Sequence, residues 1–205
     1  MTGNPLKRFW MTILHGNLVE ALLFRLQAAG ITIAPYYLVR YGIRAGTRTP
    51  GGNVCPACTY GFLGSQDMKS VAALISWPST EEEWQVRLGE GKLCFATWCE
   101  NQVIACIWVD LDVCKAKWAT VNLQPHEAYL FALCTREDFR GRQIAQHLIV
   151  HCQRALGEMG RKTLYSHCSI VNRSSVKFFR RLGATFLKRG VYIDLFGHIR
   201  VNIPL

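Results

Sequence analysis

The run Glu127–Thr135 (Glu-Ala-Tyr-Leu-Phe-Ala-Leu-Cys-Thr) restricts the fold more than any other stretch of the chain. It is nearly continuous in apolar residues, which suits a strand covered on both faces rather than one with a wet side. A short segment containing Gly141 follows, and then Ile144, Leu148 and Cys152 recur at helical spacing. That spacing predicts a helix over 140–156, and the β-rich stretch 163–170 predicts the next strand. A strand, helix and strand in this order form a crossover, which is right-handed when the strands are parallel. The expected class is therefore α/β, a mixed central sheet with flanking helices.

The surrounding elements agree with that class. A strand is predicted over 60–64 and helices over 65–74 and 80–88. Ser79 or Thr80 would cap the second helix, and Glu81, Glu82 and Glu83 suit its positive end. Strands over 93–99 and 103–111 flank the turn Glu100-Asn101-Gln102 and should pair as a hairpin. A helix over 174–182 ends at Gly183, a residue suited to a left-handed cap. Strands over 185–188 and 191–203 close the chain.

Residues 1–57 read as an N-terminal extension and 58–205 as the main domain. The extension begins with an amphipathic helix from Phe9 to Ala29, with Leu14, Leu18 and Leu22 on one face and Val19, Leu23 and Leu26 beside them. Packing on the main domain is its expected role; peripheral contact with a membrane surface is the alternative. An extended segment, 31–43, is interrupted by Pro35, and the Gly/Pro/Thr-rich stretch 45–58 is a loop. No run approaches the roughly 18 apolar residues of a membrane span. The start of the chain lacks a cleavable leader pattern, which makes the cytoplasm the expected compartment. Nine cysteines, most within apolar runs such as Leu93-Cys94-Phe95, read as small buried hydrophobes. Cys55-Pro56-Ala57-Cys58 is half of a zinc knuckle, but no second pair follows, so no metal is expected.

Charge is unevenly spread. From Arg136 onward there are 13 Lys/Arg and 4 Asp/Glu, whereas the preceding part has 11 and 10, within a total net charge of +10. A basic field in the last third favours an anionic partner there. No interleaving of aromatic and basic residues marks a single-strand nucleic-acid binder, so nucleic acid ranks last among such partners.

Two segments narrow the anion. Arg140-Gly141-Arg142-Gln143-Ile144-Ala145 lies where a helix opens after a strand, so free N–H groups and two permanent cations converge. Asn172-Arg173-Ser174-Ser175-Val176-Lys177-Phe178-Phe179-Arg180-Arg181-Leu182-Gly183-Ala184 follows the next predicted strand. The first segment resembles the Arg/Gln-x-x-Gly-x-Gly/Ala signature of the GNAT superfamily. The second resembles that family's Asn-x-x-small-apolar motif ending in Gly-apolar. The resemblance spans about residues 59–205 in element order and is specific between Tyr129 and Phe186.

The resemblance implies an acyl-CoA-dependent N-acyltransferase that moves an acetyl or longer acyl group to an amine by direct attack. It implies that Arg140, Gly141, Arg142, Gln143, Ile144 and Ala145 hold the pyrophosphate. It assigns the backbone of Leu133, Cys134 and Thr135 to the carbonyl and pantetheine arm, and places Asn172, Ser175 and Phe179 along the pantetheine. Two positions depart from the pattern: Gln143 stands where Gly is usual, and Phe179 where a Tyr often protonates the leaving thiolate. Residues able to accept the amine proton are His167 first, by intrinsic pKa, then His126, Glu127 and Tyr129. Tyr165, His167 and Ser169 should share one strand face. Cys134 has no histidine arranged to activate it and reads as structural. An acyl carrier protein as donor, in the manner of long-chain N-acyl amino acid synthases, remains an alternative, as does a CoA- or polyanion-binding module without catalysis.

Overall fold

The computed structural model describes residues 18–43, 58–74, 80–116 and 119–205. Their contacts fall into two units, one within 1–41, 115–120 and 165–205, the other within 42–114 and 121–164. Cys55 of the Cys-x-x-Cys pair and the helix start at 9–17 lie outside the described residues.

The second unit is an antiparallel meander with helices on its faces. Strands β2 (Cys58–Phe62), β3 (Leu93–Cys99), β4 (Gln102–Asp110) and β7 (Glu127–Thr135) pair in the order β7-β4-β3-β2. The β3–β4 hairpin forms because Glu100 and Asn101 both adopt positive φ, 50° and 63°. Two such residues give a tight loop whose twist matches the strands it joins. Between β4 and β7, β5 (Val113–Ala116) and β6 (Ala119–Asn122) pair as a ribbon that the sequence reading does not foresee.

Helices α2 (Met68–Leu74) and α3 (Glu81–Gly89) cover one face of the meander. Met68, Val71, Leu74 and Trp84 interlock there with Cys94, Ala96, Cys106 and Trp108. Thr80 caps α3, its Oγ1 accepting from the Glu83 amide at 3.4 Å. Helix α4 (Ile144–Glu158) buries Ile144, Leu148 and Cys152, the apolar stripe read from the sequence, and Leu156 with them. It also stacks His151 flat on Tyr60, with ring centroids 3.8 Å apart.

In the first unit, β8 (Thr163–Ser169), β9 (Thr185–Leu195), β10 (Ile199–Pro204) and the N-terminal β1 (Ile31–Gly42) run in the order β10-β9-β1-β8. Pro35 does not interrupt β1: it lies opposite Val191, and its carbonyl accepts from the Ile170 amide at 3.0 Å. A proline lacks only the donor, so its acceptor can still join a ladder. The closing hairpin turns later than the sequence suggests. β9 is continuous through Gly190, and Phe196 and Gly197 make the turn at φ 55° and 73°, with Asp194 Oδ1 accepting from the Gly197 amide at 2.8 Å. Helix α5 (Arg173–Arg181) ends at Gly183 with φ 70°, as its sequence requires. Before β1, α1 (Leu18–Ala28) leaves Val19 and Leu22 exposed, while Leu23 and Leu26 are half-buried. No helix of the described residues is long and apolar enough to cross a membrane.

Candidate functional site

Strand β7 changes character halfway. Ala128, Tyr129 and Leu130 are buried, but Phe131 to Thr135 are all half-exposed. The change coincides with a bulge. Phe131 lies opposite Trp108 and Cys134 opposite Cys106, so Ala132 and Leu133 together face the single residue Ile107. Ala132 takes φ 51° to achieve this. A left-handed alanine costs about 1 kcal/mol, and bulges of this kind re-aim backbone groups beside functional sites. Nothing in the sequence marks Ala132, because alanine carries no preference for that conformation.

Beyond the bulge the chain makes a turn of 3₁₀ helix, Glu137–Phe139, and then the segment 140–143. Arg136 is committed within this turn. Its guanidinium donates to Asp138 at 2.8 and 3.1 Å and to Gln102 at 2.7 Å, and it holds the Asp138 carboxyl below its ordinary range. Arg140 and Arg142 are exposed. Arg140 Nε reaches only the Thr135 carbonyl, at 3.2 Å, and Arg142 lies over the Phe139 ring at 5.3 Å. Among the described residues, the amides of Gly141, Arg142, Gln143, Ile144 and Ala145 find no acceptor. Five free donors, two guanidinium groups with no ion-paired carboxylate among the described residues, and the positive end of a fifteen-residue helix thus meet in this segment.

The helix does not begin at Arg140, as its periodicity suggests. It begins at Ile144, and Gln143 is its cap in the left-handed region, φ 60° and ψ 11°. Gly141, at φ 78°, is left-handed too. Two left-handed residues two positions apart curl the backbone so that its amides point inward. This explains why a glycine would suit position 143: helical dihedrals would not demand it, but left-handed ones favour it. Replacing Gln143 by Gly should therefore stabilise the protein by about 1 kcal/mol, or about 2–4 °C in Tm, measured by thermal unfolding.

The remaining candidates divide between the units. Glu127 and Tyr129 share β7 with the bulge. Glu127 Oε2 accepts from the Gln124 amide at 3.0 Å, and Tyr129 is buried, its ring stacked on Phe131 at 5.4 Å. His126 is exposed, its carbonyl tied to the Lys162 amide at 2.7 Å. Cys134 Sγ approaches the Leu74 carbonyl at 3.9 Å, a thiol packed in the α2 layer. Across β8, in the first unit, Leu164, Ser166 and Cys168 are buried while Tyr165, His167 and Ser169 on the other face are half-buried. His167 meets Tyr36 edge-on at 6.0 Å, and burial pushes its pKa down to about 4. Asn172 caps α5, its Oδ1 accepting from the Ser175 amide at 2.9 Å, which leaves Ser175 at the first turn. Phe179 is buried against Tyr41, with centroids 5.8 Å apart, and the Tyr41 hydroxyl lies 3.1 Å from Ser166 Oγ. No cluster of three or more metal-binding side chains occurs among the described residues.

Solved structures share this architecture at low identity. A GCN5-related N-acetyltransferase from Sphaerobacter thermophilus superposes with TM-score 0.57 at 15% identity, over 91% of this chain and 57% of its own. A GNAT-family acetyltransferase from Novosphingobium aromaticivorans gives 0.54 at 18%, over 80% and 66%. The ribosomal-protein-S18-alanine N-acetyltransferase of Escherichia coli gives 0.51 at 18%, over 62% and 76%. The chain thus spans two thirds or less of the first two. No protein of curated function matches the sequence. These likenesses establish the fold, a mixed sheet flanked by helices. Residues 65–184, which include the bulge, the curled segment and both motifs, match the acetyltransferase (GNAT) family, and the chain belongs to that family.

Proposed function

We propose that the protein transfers an acyl group from coenzyme A to an amine without a covalent enzyme intermediate. The observation that carries this reading is the run of amides from Gly141 to Ala145, unpaired among the described residues, beside Arg140 and Arg142, neither of which has a carboxylate in ion-pair contact there. A diphosphate needs many donors and fixed positive charge, and this segment supplies both. Coenzyme A supplies the acyl group as a thioester. The amine nitrogen bonds to the carbonyl carbon, the C–S bond breaks, and the electron pair leaves with sulfur.

In this reading, Arg140, Gly141, Arg142, Gln143, Ile144 and Ala145 hold the pyrophosphate. The backbone of Leu133, Cys134 and Thr135, re-aimed by the bulge, holds the thioester carbonyl and the adjoining arm. Donors fixed before the reaction stabilise the oxyanion as it forms. Asn172, Ser175 and Phe179 line the pantetheine. His167 accepts the proton of the attacking nitrogen, with Glu127 and Tyr129 as the next candidates. Its depressed pKa keeps the imidazole neutral at pH 7, in the form that accepts a proton. Phe179 has no proton to give, so the thiolate, whose conjugate acid has pKa about 8.5, leaves unassisted or takes its proton from water.

A longer acyl chain, carried on CoA or on an acidic carrier protein, is a second reading, favoured by the exposed Val19 and Leu22 of α1 and by the basic last third. Calorimetric titration with acetyl-CoA and with a long-chain acyl-CoA separates the two. Thiol release against a panel of amines then tests transfer. Acetyl-CoA should bind, and thiol release should require the amine. With His167 as base, kcat/KM should fall only as pH drops through about 4, where the imidazole protonates. Absence of binding to either thioester would overturn the proposal; binding without turnover would reduce the protein to a CoA-binding module.

A further inference from the structure

On the α2–α3 face of the second unit, far in sequence from both motifs, three buried donors lie together with no acceptor among the described residues. Trp84 Nε1, Trp108 Nε1 and Arg87 Nη1 are each inaccessible to solvent and unpartnered. They are one cluster. The two indoles stack at 5.4 Å and 18°, and the Arg87 guanidinium carbon lies 4.3 Å from the Trp84 ring centre, 5.5 Å from that of Trp108 and 5.6 Å from that of Phe131.

A half-buried arginine normally has a carboxylate partner. Arg87 has none in ion-pair contact among the described residues. Glu83 and Glu90, four residues before and three after, act on it only at longer range, and Glu90 is already paired with Lys92. Burial is the larger influence and depresses the guanidinium's pKa, so the group sits in surroundings that lack the negative charge to match it. The aromatic faces hold its plane but offer no acceptor to its N–H edge.

Position gives the cluster meaning. Phe131, which packs under the guanidinium, immediately precedes Ala132, where the β7 bulge begins. Leu133 is two residues beyond Phe131, and two residues span at most about 7 Å. A small molecule anchored at Arg87 would therefore present a group several bonds away to the bulge amides.

We propose that Arg87 is the specificity-determining residue for the acceptor, and that the acceptor is an amine that also carries a carboxylate, which docks on the guanidinium fork in the Trp84–Trp108–Phe131 cluster. Arg87 is only half-buried, and a carboxylate meeting the exposed edge of its guanidinium supplies two acceptors in the plane of the fork. The proposal rests on the acyl-transfer reading for its consequence, but not for its test.

Matched acceptors differing only in the carboxylate, L-phenylalanine and L-phenylalaninamide, glycylglycine and its amide, are compared in kcat/KM with acetyl-CoA. The acid member should be preferred by 10-fold or more. Arg87→Gln should raise KM for the acids about 10–100-fold and leave the amides within 2-fold, as expected for one charge-assisted fork. Arg87→Lys keeps the charge without the fork and should fall between, which guards against misfolding of the first variant. Acetyl-CoA affinity should be unchanged in both. Turnover is not needed for the second readout. N-acetyl-L-phenylalanine should change the fluorescence of the wild-type tryptophans saturably, its amide should not, and Arg87→Gln should abolish the difference. Equal behaviour of acid and amide in the wild-type protein, or equal loss for both in the variants, overturns the assignment even if the protein transfers acetyl groups well. Failure to bind acetyl-CoA, with the fluorescence difference intact, would sink the acyl-transfer reading and leave the carboxylate site standing.

Discussion

Cutting Trp108 back to alanine should lower the unfolding free energy by about 3–5 kcal/mol, read as a shift in denaturant midpoint with an unchanged m value. Trp108 is wholly buried near the end of β4. It lies opposite Cys94 on one side and Phe131 on the other, and stacks on Trp84 from the overlying helix. It therefore joins two strand pairs and the α3 layer, and no neighbour can move in to fill its volume without breaking the sheet register. Trp108→Phe separates size from polarity. It keeps most of the ring but removes an indole N–H that has no partner, so the lost area and the relieved donor offset, and the cost should stay near 1 kcal/mol. A loss under 1 kcal/mol for the alanine variant would mean that the helical layer does not depend on this residue.

Replacing Arg140 and Arg142 together by alanine should weaken acetyl-CoA binding by about 100-fold or more, measured by titration calorimetry. Each guanidinium that bonds a phosphate oxygen contributes about 1.5–3 kcal/mol, and neither is in ion-pair contact with a carboxylate among the described residues. Affinity in the double variant should also respond less to salt. Both side chains are exposed, so stability should hardly change. Arg136 is the internal control. Though four residues from Arg140 and equally basic, it is spent on Asp138 and Gln102, and its alanine variant should bind acetyl-CoA within about 3-fold of wild type. If all three arginines mattered equally, the effect would be one of general charge, not of a shaped site.

What the sequence reveals, and what it hides, follows from how local each determinant is. The β3–β4 hairpin, the Thr80 cap of α3 and the Gly183 end of α5 are legible because their causes lie within a few residues. The stripe Ile144, Leu148, Cys152 is legible for the same reason. The start of α4 is not, because Arg140 to Gln143 are compatible with a helix and only the fold forces Gln143 left-handed. Pro35 misleads because a proline in an interior strand is rare, and its acceptor role depends on Ile170, 135 positions away in sequence order. Arg87 is hidden for a similar reason. In Glu-Glu-Glu-Trp-Gln-Val-Arg it reads as one charge on a solvated helix, and only Trp108 and Phe131, from distant strands, turn it into an enclosed cation.

The place of β1 bears on how the chain is made. Ile31 pairs with Leu195, and the strand sits between β8 and β9. A ribosome adding about 5–20 residues per second delivers β1 roughly 6–25 s before either neighbour exists. Throughout that interval an apolar, β-branched and aromatic segment has two open edges and no lawful partner, which is the condition in which strands pair with the wrong chain. Nascent chains of this protein should therefore depend on a chaperone until the last forty residues emerge, and the first unit should be the last to become protease-resistant during synthesis.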